Sequence, residues 1–82
     1  MKYDNSHLSW SGPFAYRGHA IQTASDVHNS GSFTGQWVGS FRVTKDMTVI
    51  RMSTEASYHQ SAVHAQSDAM RAAKVFIDQL DR

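Results

Sequence analysis

The stretch "QWVGSFRVTKDMTVIRMST", residues 36–54, decides how the chain is read. Its first half alternates, with Trp37, Gly39, Phe41 and Val43 on one side and Val38, Ser40, Arg42 and Thr44 on the other. Successive side chains of a strand point to opposite faces, so this spacing predicts a strand with an apolar, aromatic face against a polar one. Lys45, Asp46 and Met47 read as a short turn. The run from Thr48 then alternates again, with Ile50 and Met52 on a side opposed by Val49, Arg51, Ser53 and Glu55. Strands joined this tightly pair antiparallel. The expected hairpin puts Ile50 and Met52 in the core with Phe41 and Val43, and leaves Arg42 and Arg51 on the polar face.

Toward the N-terminus, "FAYRGHAIQTAS", residues 14–25, places His19, Ile21 and Thr23 on one side and Ala20, Gln22 and Ala24 on the other, a further strand. Gly18 tolerates positive φ and starts that strand or a tight turn before it. "DVHNSGSFTG", residues 26–35, is dense in Asn, Ser and Gly and forms the connection. Upstream, "MKYDNSHLSWSG" is polar, has no sustained period and runs into Pro13. Residues 1–13 are therefore expected to be a flexible leader whose Trp10 docks elsewhere, and residues 14–82 a single domain.

From Ser61 the period becomes 3.6, with Ala62, Ala65, Ala69, Ala72, Ala73, Phe76 and Leu80 on one stripe and Ser61 as N-cap. A helix of about 19 residues is about 28 Å long, enough to lie diagonally over a sheet. The small residues of its first half predict a close approach, with Gly39 facing the alanines. The expected fold is α+β: a three-stranded antiparallel β-meander packed on one face by a C-terminal α-helix, in the order β-β-β-α. Its core would hold Ile21, Trp37, Phe41, Val43, Ile50, Met52, Ala65, Ala69, Ala73, Phe76 and Leu80, and the other sheet face would be uncovered.

The sequence also resembles a group of small uncharacterised bacterial proteins. The shared features are Tyr16, Arg17, Gly18, His19 and Ile21 in a first strand and Trp37 in a second, followed by a closing helix that begins after Ser61 and ends in Phe76, Ile77 and Asp78. The resemblance covers about residues 14–80. It implies a β-β-β-α fold likened to a double-stranded-RNA-binding domain lacking its first helix, with no established activity. A double-stranded-RNA-binding domain grips phosphates with lysines at the start of its last helix. The corresponding "YHQSAVHAQSDAMR" has no Lys, and its first Arg is Arg71. The HicB-type antitoxin domain is similar in running strands into an alanine-bearing helix, but its Gly-Asp-Thr-x-x-Glu-Ala entry to that helix is missing.

Composition narrows the function. An 82-residue chain with no Cys and a net charge of +1 has no disulfide framework, no thiolate metal site and no strong basic excess. Without an apolar run of bilayer length or a signal-peptide core, it reads as soluble and cytoplasmic, with no membrane association. His7, His19, His28, His59 and His64 lack metal-ligand spacing, and Asp26, Asp46, Glu55, Asp68, Asp78 and Asp81 are scattered. The expectation is therefore no enzyme, no cofactor, no metal and no small-molecule substrate.

Two surfaces remain. Val63, Met70 and Ile77, seven apart, lie on the flank of the helical stripe, where each one buried against a partner contributes about 1.5–3 kcal/mol. Arg17, Arg42, Lys45 and Arg51 would form a modest basic patch on the open sheet face. The leading expectation is a small interaction module that binds a protein partner or itself, as a homodimer, through the helix flank and open sheet face. The alternative is weak, salt-sensitive nucleic-acid binding through the four basic residues. "YRGHAIQ", residues 16–22, reads mainly as strand initiation.

Overall fold

The structure, a computed structural model, describes residues 8–27 and 34–80. The elements are β1 (Ser11–Tyr16), β2 (His19–Val27), β3 (Trp37–Lys45), β4 (Thr48–Thr54) and α1 (Ala62–Leu80). The strands form one antiparallel sheet in the order β1-β2-β3-β4, and α1 crosses one face over β2 and β3. The class is the expected α+β meander, but with four strands where three were expected.

The additional strand comes from the first alternating segment, which holds a complete hairpin. Tyr16 pairs with His19 around Arg17 (φ +49°) and Gly18 (φ +79°), and positive φ at both central positions is the I′ turn that suits strand twist. β1 escaped the period-two reading because its register shifts between Ser11 and Phe14, at Gly12 and Pro13. The boundary expected after residue 13 thus falls inside a strand. Of the expected leader, residues 1–7 lie outside the described residues. A second turn of the same form, at Asp46 (φ +51°) and Met47 (φ +66°), joins β3 to β4.

The core lies between α1 and the β2–β3 pair. Ile21 stands beside Val43 and Thr23 beside Phe41, and Ile21, Phe41 and Val43 pack with Ala69, Ala73 and Ile77. Ala65, Ala69, Ala73 and Ile77 form a buried row four residues apart, an inclined ridge of the kind a diagonal crossing uses. That row takes Ile77 into the core in place of Leu80, which is 48% exposed. Phe76 packs against the edge of the cluster, and Trp37 is only half-buried. Gly39 faces the alanines as expected: a Cβ there would stand 2.0 Å from the Ala65 carbonyl oxygen and 3.1 Å from the Ala69 Cβ.

The largest departure is in β4. A hairpin turning on Asp46 and Met47 would, if regular, set Val43 opposite Ile50, Arg42 opposite Arg51 and Phe41 opposite Met52. Instead Thr44 pairs with Val49 and Val43 with Arg51, so Ile50 is an inserted residue at a β-bulge. From there the faces exchange. Arg51 and Ser53 come to the helix side, whereas Met52 pairs with Arg42 on the opposite face. A one-residue slip moves every later side chain to the other face, so Ile50 and Met52, expected in the core, are 41% and 49% exposed. The regular register would set two guanidinium groups directly opposite one another, which is destabilising.

The face away from the helix is not bare. Ala24 and Ser40 pair there and are buried, and Trp10 lies on the same face against Arg42, whose guanidinium is 4.4 Å from the ring centroid. Gly39→Ala is expected to push α1 off the sheet and destabilise the fold by roughly 2–3 kcal/mol, read as a lower urea midpoint at unchanged slope. Met47→Gly relieves left-handed backbone at a solvent-exposed turn and is expected to raise stability by roughly 0.5–1 kcal/mol in the same assay.

Candidate interaction surface

The two edges of the sheet differ. β1 contains Pro13, which has no N–H to offer, and its register shift interrupts its pairing with β2. β4 contains no proline, and all of its residues except Ser53 are exposed. It carries Val49, Ile50 and Met52, each between 41% and 51% exposed, and follows Met47, which is 97% exposed at the turn. The Glu55 N–H donates to the Gly39 carbonyl at 2.8 Å, which extends the pairing of Ser40 with Thr54 and Phe41 with Ser53. By the alternation of antiparallel bonds, Arg51, Ser53 and Glu55 direct their backbone groups to β3, and Met52 and Thr54 direct theirs outward. Between them, the Ser40 and Thr54 hydroxyls are 2.8 Å apart on the outer face.

The four basic residues do not converge. The Arg17 Nη1 donates to Asp78 Oδ1 at 2.8 Å, and the Tyr16 hydroxyl donates to the same oxygen at 2.9 Å, so the β1–β2 turn is clasped to the end of α1. Lys74 Nζ lies 5.3 Å from the Tyr16 ring, and His19 Nδ1 is 2.9 Å from the Arg17 carbonyl oxygen. Arg42 Nε donates to Gln22 Oε1 at 2.8 Å on the outer face. Arg51 is on the helix side, 5.5 Å from the Phe76 ring centroid, and Lys45 is exposed beside the second turn. "YRGHAIQ" is thus a turn and a clasp.

Nor does the helical row form a flank. Ile77 is fully buried, Met70 packs against the core, and only Val63, 72% exposed, is available to a partner. Ser61 is the expected N-cap: its Oγ accepts from the His64 N–H at 3.2 Å and is 2.9 Å from His64 Nδ1. His59 anchors the connection before the helix through reciprocal backbone bonds with Trp37, and its Nε2 is 3.3 Å from Asp68 Oδ2. His7 and His28 lie outside the described residues. Among the described residues there is no group of three or more His, Asp or Glu placed to hold a metal, no enclosed pocket, and no helix long and apolar enough to cross a membrane.

A regular hairpin would bury Ile50 and Met52, so β4 is not legible as a surface from its alternation alone. A signal was present: that register opposes Arg42 to Arg51, a conflict that one inserted residue removes.

Two polar contacts of α1, the Arg71–Asp68 pair and the Tyr16–Asp78 hydrogen bond, titrate at opposite ends of the pH scale. The bond from Arg71 holds the Asp68 carboxyl below its ordinary value of 3.8, aided by His59 and opposed by burial. Its stabilisation is complete above that ordinary value and is lost as pH falls through the lower folded value. The Tyr16 phenol is raised above 10.0, chiefly by its bond to Asp78, so its contribution is complete below 10.0 and is lost as pH rises through the folded value. Urea midpoints measured across pH are expected to fall less on the acid limb for Asp68→Asn, and less on the alkaline limb for Tyr16→Phe, than for the wild type. Comparison with protein-family models, with curated proteins and with solved structures finds no match for this chain.

Proposed function

We propose that this chain is a non-enzymatic protein-interaction module that binds by pairing a strand of its partner with the outer edge of β4. The observation that carries this reading is the exposure of β4, with its apolar Val49, Ile50 and Met52, beside a β1 edge interrupted by Pro13 and a bulge. Exposed edges are usually blunted by charge, proline, bulges or a covering element; β4 carries a bulge at Ile50 and one charge, Arg51, but no proline, and past the bulge its outward peptide groups form a template for another strand. In β-augmentation, main-chain bonds supply affinity and alternate side chains supply specificity. On β4 the side chains on offer are Met52 and Thr54 on the outer face and Arg51 and Ser53 on the helix side. Nucleic-acid binding gains no support, because Arg17, Arg42, Lys45 and Arg51 are dispersed over the two faces and the two turns.

Met52→Pro removes an N–H that points outward from an edge strand and leaves the β3 ladder intact, a strand site where proline is tolerated. With the fold verified by circular dichroism, the variant is expected to lose about tenfold or more in retention of proteins on a column of the immobilised chain. Retention of the same proteins at equal strength by both columns would refute the β4 edge as the interface.

A further inference from the structure

We infer that the strand seated on β4 is the β4 of a second copy of this chain, antiparallel, with Ser53 on the two-fold axis. The inference rests on the reading of β4 as the binding edge and specifies its occupant.

Symmetry and charge select the register. A two-fold axis normal to the sheet places one residue of β4 opposite itself and pairs its neighbours reciprocally. Centred on Arg51, the pairing sets two guanidinium groups face to face, which is destabilising. Centred on Met52, it sets Arg51 opposite Ser53 and carries the bulged Ile50 into the shared ladder. Centred on Ser53, it sets Arg51 of each copy opposite Glu55 of the other, twice by symmetry.

Arg51 and Glu55 occupy the same face. Arg51 pairs with Val43 and stacks near Phe76, and Glu55 continues the ladder opposite Gly39, whose missing Cβ faces Ala65. Their charges are complementary across the axis. In this register Met52 and Thr54 exchange backbone bonds with Thr54 and Met52 of the other copy, using the groups that point outward. The bulge lies at the end of the shared segment, so residues 51–55 meet as regular strand.

The layers allow it. Each helix lies over its own β2 and β3, so at roughly 4.8 Å per strand the two helix axes would be about 19 Å apart. Packed helices approach to about 8–10 Å, so they do not collide, and Arg51, Ser53 and Glu55 line a polar channel between them. The joined sheet is continuous, with the interrupted β1 edges outermost.

Ser53 would face its own copy as a non-hydrogen-bonded pair, with Cα atoms roughly 4.5 Å apart, a distance a disulfide spans. The chain has no Cys, so Ser53→Cys introduces a unique thiol. Under mild oxidation at micromolar protein, Ser53→Cys is expected to form a covalent dimer about tenfold faster or more than Met47→Cys, whose thiol would be exposed at the turn and off the axis. By sedimentation equilibrium the wild type is expected to be a dimer. Arg51→Glu and Glu55→Arg should each weaken it by about tenfold, and the double exchange should restore it.

A wild type that remains monomeric at millimolar concentration overturns the inference. So does a dimer in which Ser53→Cys links no faster than Met47→Cys, or in which the double exchange fails to restore association. If the wild type is monomeric while Met52→Pro still loses a retained partner, the β4 edge stands and the second copy falls. If Met52→Pro loses nothing, both fall.

Discussion

The register between β3 and β4 is the constraint on which the rest of the surface depends. Without an inserted residue, Arg42 and Arg51 would oppose each other across the hairpin; with Ile50 bulged, Arg51 moves to the helix side and Arg42 keeps the outer face. Each guanidinium then finds an aromatic ring, Arg51 at Phe76 and Arg42 at Trp10. The same shift exposes Ile50 and Met52 and replaces their bulk in the core with nothing from β4. Among the described residues the buried cluster is consequently drawn from β2, β3 and α1, with Tyr16 of β1 packed against it, and β4 is held by its ladder rather than by burial.

That arrangement explains why the contact between α1 and β3 is so close. Alanines and Gly39 bring the helix against the sheet where bulk is absent, and Ile77 fills the wider end with Phe76 beside it. A short-reaching core is compatible with a chain of 82 residues, which has little apolar surface to bury. The clasp of Tyr16 and Arg17 on Asp78 ties the β1–β2 turn to the far end of the helix, and the backbone pairing of Trp37 with His59 ties down the connection at its beginning. Both ends of α1 are thus anchored by polar contacts, and its middle by packing.

The sheet is asymmetric in what its edges offer. β1 is interrupted by a bulge and a proline, and its turn is engaged by the helix, whereas β4 has no proline and, past its own bulge at Ile50, presents outward backbone groups beside apolar side chains. Binding through an edge needs neither a pocket nor a metal, only unpaired peptide groups and side chains that pack on the pleat. A pairing between copies would cover the more exposed edge and place the interrupted ones outside, which also limits growth of the sheet beyond two copies.

The class, the β3–β4 hairpin, the helix with its Ser61 cap and the approach of Gly39 to the alanines are legible in the chain, because each depends on spacing within one segment. Phe41, Val43 and Ile21 reached the core for the same reason. Tertiary structure alone decided what depended on relations between segments. β1 was hidden because Gly12 and Pro13 break its period. The faces of β4 reversed because a bulge is a property of a pair of strands, with Arg42 facing Arg51 as its only local trace. Ile77 replaced Leu80 because the angle at which α1 crosses the sheet selects which helical row is buried, and that angle is set by both partners together.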